Sequence, residues 1–200
     1  MSKEIKNQET HKEKPEDEVS VFIEGENVDL VPRNKEHIQL YNKWVNDPEV
    51  RKYLRKEIPT TVAEMEKRFE RVEEGMKQYI SFEVWHKKDK KPIGVGGFSR
   101  INWINRNANI YLNIGEKEYW GKNLATEVTK LMLRYAFEEL NFHKVYSGVF
   151  TPNIASWSVA EKIGFTYEGT LKHEVYVDGK YYDAKKYGLL KREWNELNQR

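Results

Sequence analysis

Between Tyr79 and Ile114 the chain alternates apolar and polar residues three times in succession, and this pattern restricts the fold more than any other feature. The runs Tyr79–Trp85, Ile93–Ile101 and Ala108–Ile114 are separated by Lys88-Asp89-Lys90-Lys91-Pro92 and by Asn105-Arg106-Asn107. Period-two runs divided by turn residues read as three strands of an antiparallel meander. Such a sheet needs cover, and the flanking segments supply it. Ile38, Leu40, Tyr41, Trp44 and Val45 recur at helical spacing until Asn46-Asp47-Pro48 breaks the run. A second helix is capped by Thr60 or Thr61, with Glu64 completing a capping box and Val62, Met65, Phe69 and Val72 forming its stripe.

The remaining elements fall on either side of the meander. Val28–Pro32 reads as a first strand. Asn123 to Leu140 forms the best helix, its face made by Leu124, Val128, Leu131, Met132, Tyr135 and Ala136. Val145–Phe150 is a strand, and Thr151-Pro152-Asn153 opens a short helix that Gly164 ends as a left-handed cap. Leu171–Val177 and Tyr181–Leu190 flank Asp178-Gly179, the strongest short hairpin signal in the chain. The order predicts one α/β domain (α+β), a mixed and mostly antiparallel sheet of about seven strands with helices on both faces, over residues 21–200. Residues 1–20 carry many charges and almost no apolar side chains, and are expected to be a flexible tail.

Composition narrows the function classes. With 34 basic against 32 acidic residues, the net charge of +2 gives no field that would attract nucleic acid or a membrane by charge alone. No cysteine is present, which excludes disulfides, thiolate metal sites and a cysteine nucleophile. The five histidines show no ligand spacing, so no metal site is expected. No run approaches the length of a membrane span and the N-terminus lacks a signal-peptide core, so a soluble, cytoplasmic protein is expected.

The segment Glu118-Tyr119-Trp120-Gly121-Lys122-Asn123-Leu124-Ala125 joins a strand to the best helix. The first amides of a helix have no internal acceptor and the helix dipole is positive there, so a diphosphate can be held by main chain alone. Gly121 permits close approach, Lys122 adds a cation, and Asn123 can cap the helix or adopt a left-handed conformation. An ordinary strand-to-helix turn has the same ingredients. No phosphate-binding P-loop is present, and Gly94-Val95-Gly96-Gly97 opens no helix and is not a dinucleotide fingerprint.

Trp120-Gly121-Lys122-Asn123-Leu124-Ala125-Thr126-Glu127 resembles the coenzyme A diphosphate motif of GNAT N-acetyltransferases. Asn153-Ile154-Ala155-Ser156 through Glu161-Lys162-Ile163-Gly164-Phe165 resembles the motif that follows it in those enzymes. The likeness runs from Val28 to about Trp194 and is strongest to the branch containing ribosomal-protein N-terminal acetyltransferases, which also includes enzymes acting on polyamines, amino sugars and antibiotics. It implies an acetyl-CoA-dependent N-acetyltransferase with a splayed fourth and fifth strand pair, the pantetheine arm lying against Leu112, Asn113 and Ile114, and the diphosphate on Trp120 to Ala125. Asn153 would bond the arm or the amine, or simply cap a helix. Ser156 would contact the cofactor and protonate the departing thiolate, or serve as a structural serine.

Three departures from the family pattern are present. Glu118 stands where a neutral or basic residue is usual, Asn123 replaces a small residue, and Ala160 occupies the position of a tyrosine found in many members. They motivate an alternative reading as a catalytically degenerate CoA-binding regulatory module. Amine acetylation needs a neutral nucleophile, and an alkyl ammonium has a pKa near 10. Glu83 is the candidate base, with an exposed strand charge as the competing reading. Acceptor contacts are expected from Trp44, Tyr53, Glu83, Tyr111 and Tyr182. The expected partner is an amine-bearing small molecule or protein N-terminus, with neither nucleic acid nor membrane, and a homodimer is the candidate assembly.

Overall fold

The computed structural model describes residues 19–54, 58–70 and 75–199. Most of the expected charged tail, and Val72 of the second predicted helix, lie outside the described residues. The elements run β1 (Val28–Pro32), α1 (Ile38–Asn46), α2 (Pro48–Leu54), α3 (Val62–Glu70), β2 (Ile80–His86), β3 (Lys91–Asn102), β4 (Asn107–Ile114), α4 (Leu124–Arg134), β5 (Lys144–Phe150), α5 (Ile154–Ile163), β6 (Thr166–Val177), β7 (Lys180–Leu190) and α6 (Lys191–Asn198). A π-helical turn, Tyr135–Glu139, extends α4. The seven strands form one sheet in the order β1-β2-β3-β4-β5-β7-β6, antiparallel except for the β4–β5 pair.

The alternation in β2 to β4 sorts side chains to two faces. Leu30, Phe82, Val84, Phe98 and Ile110 face the stripe of α4, where Val128, Met132 and Leu133 are fully buried. Each large side chain of this kind contributes about 1.5–3 kcal/mol on burial. The opposite face carries Val95, against which Ile38, Tyr41, Trp44 and Met65 of α1 and α3 pack. Helices therefore cover both faces of a mixed sheet, as the order of elements predicts.

Local chemistry fixes the ends. The Thr61 N–H donates to Glu64 Oε2 at 2.7 Å and the Glu64 N–H to Thr61 Oγ1 at 3.2 Å, which closes the capping box on α3. Gly164 ends α5 at φ 107°, and Asp178 and Gly179 take φ 51° and 78° at the hairpin tip. Two helices go beyond the sequence reading. Asn46-Asp47-Pro48 ends α1 and also begins α2: Asp47 Oδ1 accepts the N–H groups of Glu49 and Val50, at 2.9 and 3.2 Å, with Pro48 at the first helical position. The second unanticipated helix is α6, whose first turn closes when Glu193 Oε2 accepts the Leu190 N–H at 2.9 Å. In addition, β6 begins at Thr166, earlier than the Leu171 read from the sequence.

Candidate active site

β4 and β5 pair only through Asn107–Lys144, Ala108–Val145 and Asn109–Tyr146. Beyond these residues each strand stays paired on its other side, β4 with β3 as far as Ile114 and β5 with β7 as far as Phe150. A wedge therefore opens in the middle of the sheet, and a cavity of about 850 Å³ occupies it. Its walls are Ile110 to Ile114 of β4, Ser147 to Phe150 of β5, Trp120, Gly121 and Asn123 to Thr126 at the head of α4, Asn153 to Ser156 of α5, and Val50 and Leu54 of α2. The cavity thus joins the α4–α5 face of the sheet to the face carrying α1 and α2.

The head of α4 presents unpartnered backbone amides. Gly121 and Asn123 both hold left-handed backbone, at φ 74° and 63°. Asn123 leaves the helix without a side-chain cap; its Oδ1 instead accepts Lys162 Nζ at 2.9 Å. The first backbone bonds of the helix run from Thr126 and Glu127 to the Asn123 carbonyl, and the amides of Gly121 to Ala125 meet no acceptor among the described residues. Five amides at the positive end of a helix suit a diphosphate. Lys122 does not line the cavity; its ammonium sits 5.0 Å from the centre of the Tyr119 ring.

Contacts with neighbouring elements fix the course of this loop. The Trp44 indole packs on Gly115, where a Cβ would come within 2.2 Å of the ring, and its Nε1 donates to Glu116 Oε1 at 2.7 Å. Lys117 bridges to Asp47 at 3.3 Å and Glu49 at 2.8 Å, and the Tyr119 hydroxyl donates to Asp89. Trp120 Nε1 donates to the Ile114 carbonyl at 2.8 Å. Glu118, the unusual residue of the motif, pairs with Lys91 at 3.0 Å and lies outside the cavity walls.

The remaining sequence candidates divide. Leu112, Asn113, Ile114, Trp120, Gly121, Asn123, Leu124, Ala125, Asn153, Ser156 and Tyr111 all line the cavity. Asn113 Nδ2 is buried and has no acceptor among the described residues. Asn153 caps α5, its Oδ1 accepting the Ser156 N–H at 3.2 Å, which leaves its Nδ2 free to donate. The Ser156 hydroxyl has no partner among the described residues. Burial pushes the Tyr111 hydroxyl above its ordinary pKa, against the opposing effects of Ser81 and Arg33.

Glu83, Trp44 and Tyr182 do not line the cavity. Glu83 is 1% exposed and accepts from the Tyr41 hydroxyl and from His37 at 2.8 Å, so it is not an exposed strand charge. Burial, reinforced by that carboxylate, raises the Tyr41 hydroxyl and keeps it a donor. Trp44 is core and Tyr182 packs against Phe150, while the Tyr53 side chain lies outside the described residues. Leu54 is a wall that the sequence reading missed, because α2 was not recognised.

These features define a class. Residues 27–166 match the acetyltransferase (GNAT) domain, and the chain belongs to that family. YdaF of Bacillus subtilis, provisionally named a ribosomal N-acetyltransferase, is 38% identical over 106 residues, 53% of this chain and 57% of that protein. Spermidine N(1)-acetyltransferase of Escherichia coli is 36% identical over 96 residues, 48% of this chain and 51% of the relative, so the chain spans about half the length of these curated relatives. A crystal structure of spermidine N-acetyltransferase from Vibrio cholerae, in complex with CoA and spermine, superposes with a TM-score of 0.77 at 25% identity, covering 84% of this chain and 98% of that one. No helix among the described residues is long and apolar enough to cross a membrane, and no group of three or more metal-ligating side chains occurs among them.

Proposed function

We propose that the protein is an acetyl-CoA-dependent N-acetyltransferase that acts on a primary amine. The observation that carries this reading is the row of unpartnered amides from Gly121 to Ala125, opening onto a cavity that passes through the β4–β5 gap. The residues present fit coenzyme A. The five amides would hold its diphosphate, the unpaired edge of Ile110 to Ile114 would pair with its amide-bearing arm as if with a strand, and Asn113 Nδ2 supplies a buried donor in need of an acceptor. Acetyl-CoA supplies the thioester acyl group.

The chain's own residues then have distinct tasks. A β4 amide in the gap polarises the reacting carbonyl. The Ser156 hydroxyl delivers a proton to the leaving sulfur, and Asn153 Nδ2 orients the ligand. Glu83 is held by Tyr41 and His37 outside the cavity, so water carries the amine proton away and Glu83 fixes α1 on the sheet. The degenerate alternative loses one of its three motives, since Glu118 pairs with Lys91 away from the cavity. The cytoplasm, which supplies acetyl-CoA, is the setting this reading requires.

Thiol release from acetyl-CoA over a panel of primary amines tests the proposal. Turnover of at least one amine is expected, falling on the order of 100-fold in Ser156→Ala, within the range for loss of a positioned acid. Silence across the panel despite CoA binding would overturn it, and full activity in the variant would remove the Ser156 role.

A further inference from the structure

No Asp, Glu, Lys, Arg or His lines the cavity among the described residues, yet a lysine without a carboxylate partner stands at its edge. Lys186 of β7 pairs in register with Gly148 of β5, a cavity wall. A Cβ on Gly148 would come within 2.8 Å of Lys186 Nζ, so the missing side chain is what lets the half-buried ammonium lie across β5 beside the gap. The parallel pair Asn109–Tyr146 puts Gly148 level with Tyr111, two residues on in each strand, so Lys186 shares the sheet face of Tyr111. This is the α1–α2 face, at the end of the cavity away from the amides of α4 that would hold the diphosphate, and so the side left for the amine.

The Lys186 ammonium has no hydrogen bond or ion pair among the described residues. Arg33, whose charge acts on the Tyr111 hydroxyl, has no carboxylate partner among the described residues either: its guanidinium stacks on the rings of Tyr41 and Phe69, at 4.3 and 4.5 Å, and its Nε is buried with no acceptor among them. Four carboxylates around this face are already engaged. Asp47 and Glu49 hold Lys117, Asp178 holds Lys52, and Glu83 is taken by Tyr41 and His37. Among the described residues the acceptor end therefore carries positive charge and has no carboxylate in the cavity wall. Such a field disfavours a polycation, favours the neutral form of the reacting amine and attracts an anionic group attached to it.

We infer that Lys186 is a specificity determinant and that the acceptor carries a carboxylate close to its primary amine. This rests on the acetyltransferase reading. A carboxylate beside an amine occurs in a free amino acid and in a peptide N-terminus followed by an acidic residue, and the test separates the two.

The measurement is kcat/KM of the full chain for two matched pairs, free serine against serinamide and Ser-Asp-Val-amide against Ser-Asn-Val-amide, with spermidine as a fifth acceptor. The carboxylate member of at least one pair is expected to lead on the order of tenfold, the value of one hydrogen bond to a charged group, with spermidine poorer still. Which pair discriminates identifies the position of the carboxylate. In Lys186→Met the ratio falls toward one, in Lys186→Arg it persists, and because each ratio is taken within one variant, partial unfolding cancels. Ratios near one in the wild type, ratios unchanged in Lys186→Met, a rise in acetyl-CoA KM instead, or spermidine as the best acceptor would each overturn the inference. Turnover of none of the five, or of any wider panel, overturns the acetyltransferase reading and this inference with it.

Discussion

Replacing Gly115 by alanine tests how the cofactor loop is held. The added methyl would lie 2.2 Å from Cγ and Cδ2 of Trp44, well inside van der Waals contact, so ring or loop must shift by more than an ångström. Trp44 is 1% exposed and its indole donates to Glu116, so the ring has no free space and loses a charge-assisted bond if it moves. Overpacking of this kind costs about 1–3 kcal/mol, and the bond to the carboxylate a further ~1.5–3 kcal/mol. With a urea m-value of about 2 kcal/mol/M, the unfolding midpoint should fall by roughly 1–3 M. The shift also moves the amides that follow, so CoA affinity should weaken on the order of tenfold or more, the value of one charged hydrogen bond. Gly121→Ala is the comparison: its Cβ meets nothing within 4 Å, and its left-handed backbone costs only about 1–2 kcal/mol. A Gly115→Ala protein with wild-type midpoint and CoA affinity would refute the loop-anchoring argument.

Other outcomes follow from the same contacts. Tyr41→Phe leaves the buried Glu83 carboxylate with His37 alone and the Asn34 N–H without its acceptor, so urea unfolding should show a loss of about 2–4 kcal/mol. Asn153→Ala removes the α5 cap and should lower Tm by about 3 °C, equivalent to ~1 kcal/mol, while raising KM for acetyl-CoA. Glu127 accepts from the Asn27 and Val28 amides at 2.8 and 3.3 Å; burial acts to raise its pKa, but these bonds prevail and hold it below the ordinary value. A depressed folded pKa gives stability that is present above the unfolded value near 4.5 and is lost as pH falls through the folded one. Glu127→Gln should therefore be less stable than wild type at pH 7, and thermal melts should show the gap closing below about pH 4.

The meander, the long helix and the Asp-Gly hairpin were legible in the sequence because their periodicity and turn residues are local signals. The two missed helices had local signals as well. Asp47-Pro48 is both a stop for α1 and a capped start for α2, and reading it only as a breaker concealed Leu54, a wall of the cavity. Glu83 and Trp44 illustrate the opposite limit. Residue type marked both as noteworthy, but only the pairing of β2 with β1 and β3 buries Glu83 under α1, and only the return of the chain after β4 brings Glu116 to the Trp44 indole. Lys186 carries no motif at all. Its position depends on the β5–β7 register that sets it opposite a glycine, a relation between segments far apart in the sequence.

An amide-resolved NMR titration of the ¹⁵N-labelled protein with coenzyme A examines the diphosphate grip directly. The largest shifts are expected on the backbone signals of Gly121, Lys122, Asn123, Leu124 and Ala125, while pantetheine, which lacks the diphosphate, leaves those five nearly unmoved. Binding of coenzyme A with those five signals unchanged would contradict the diphosphate grip.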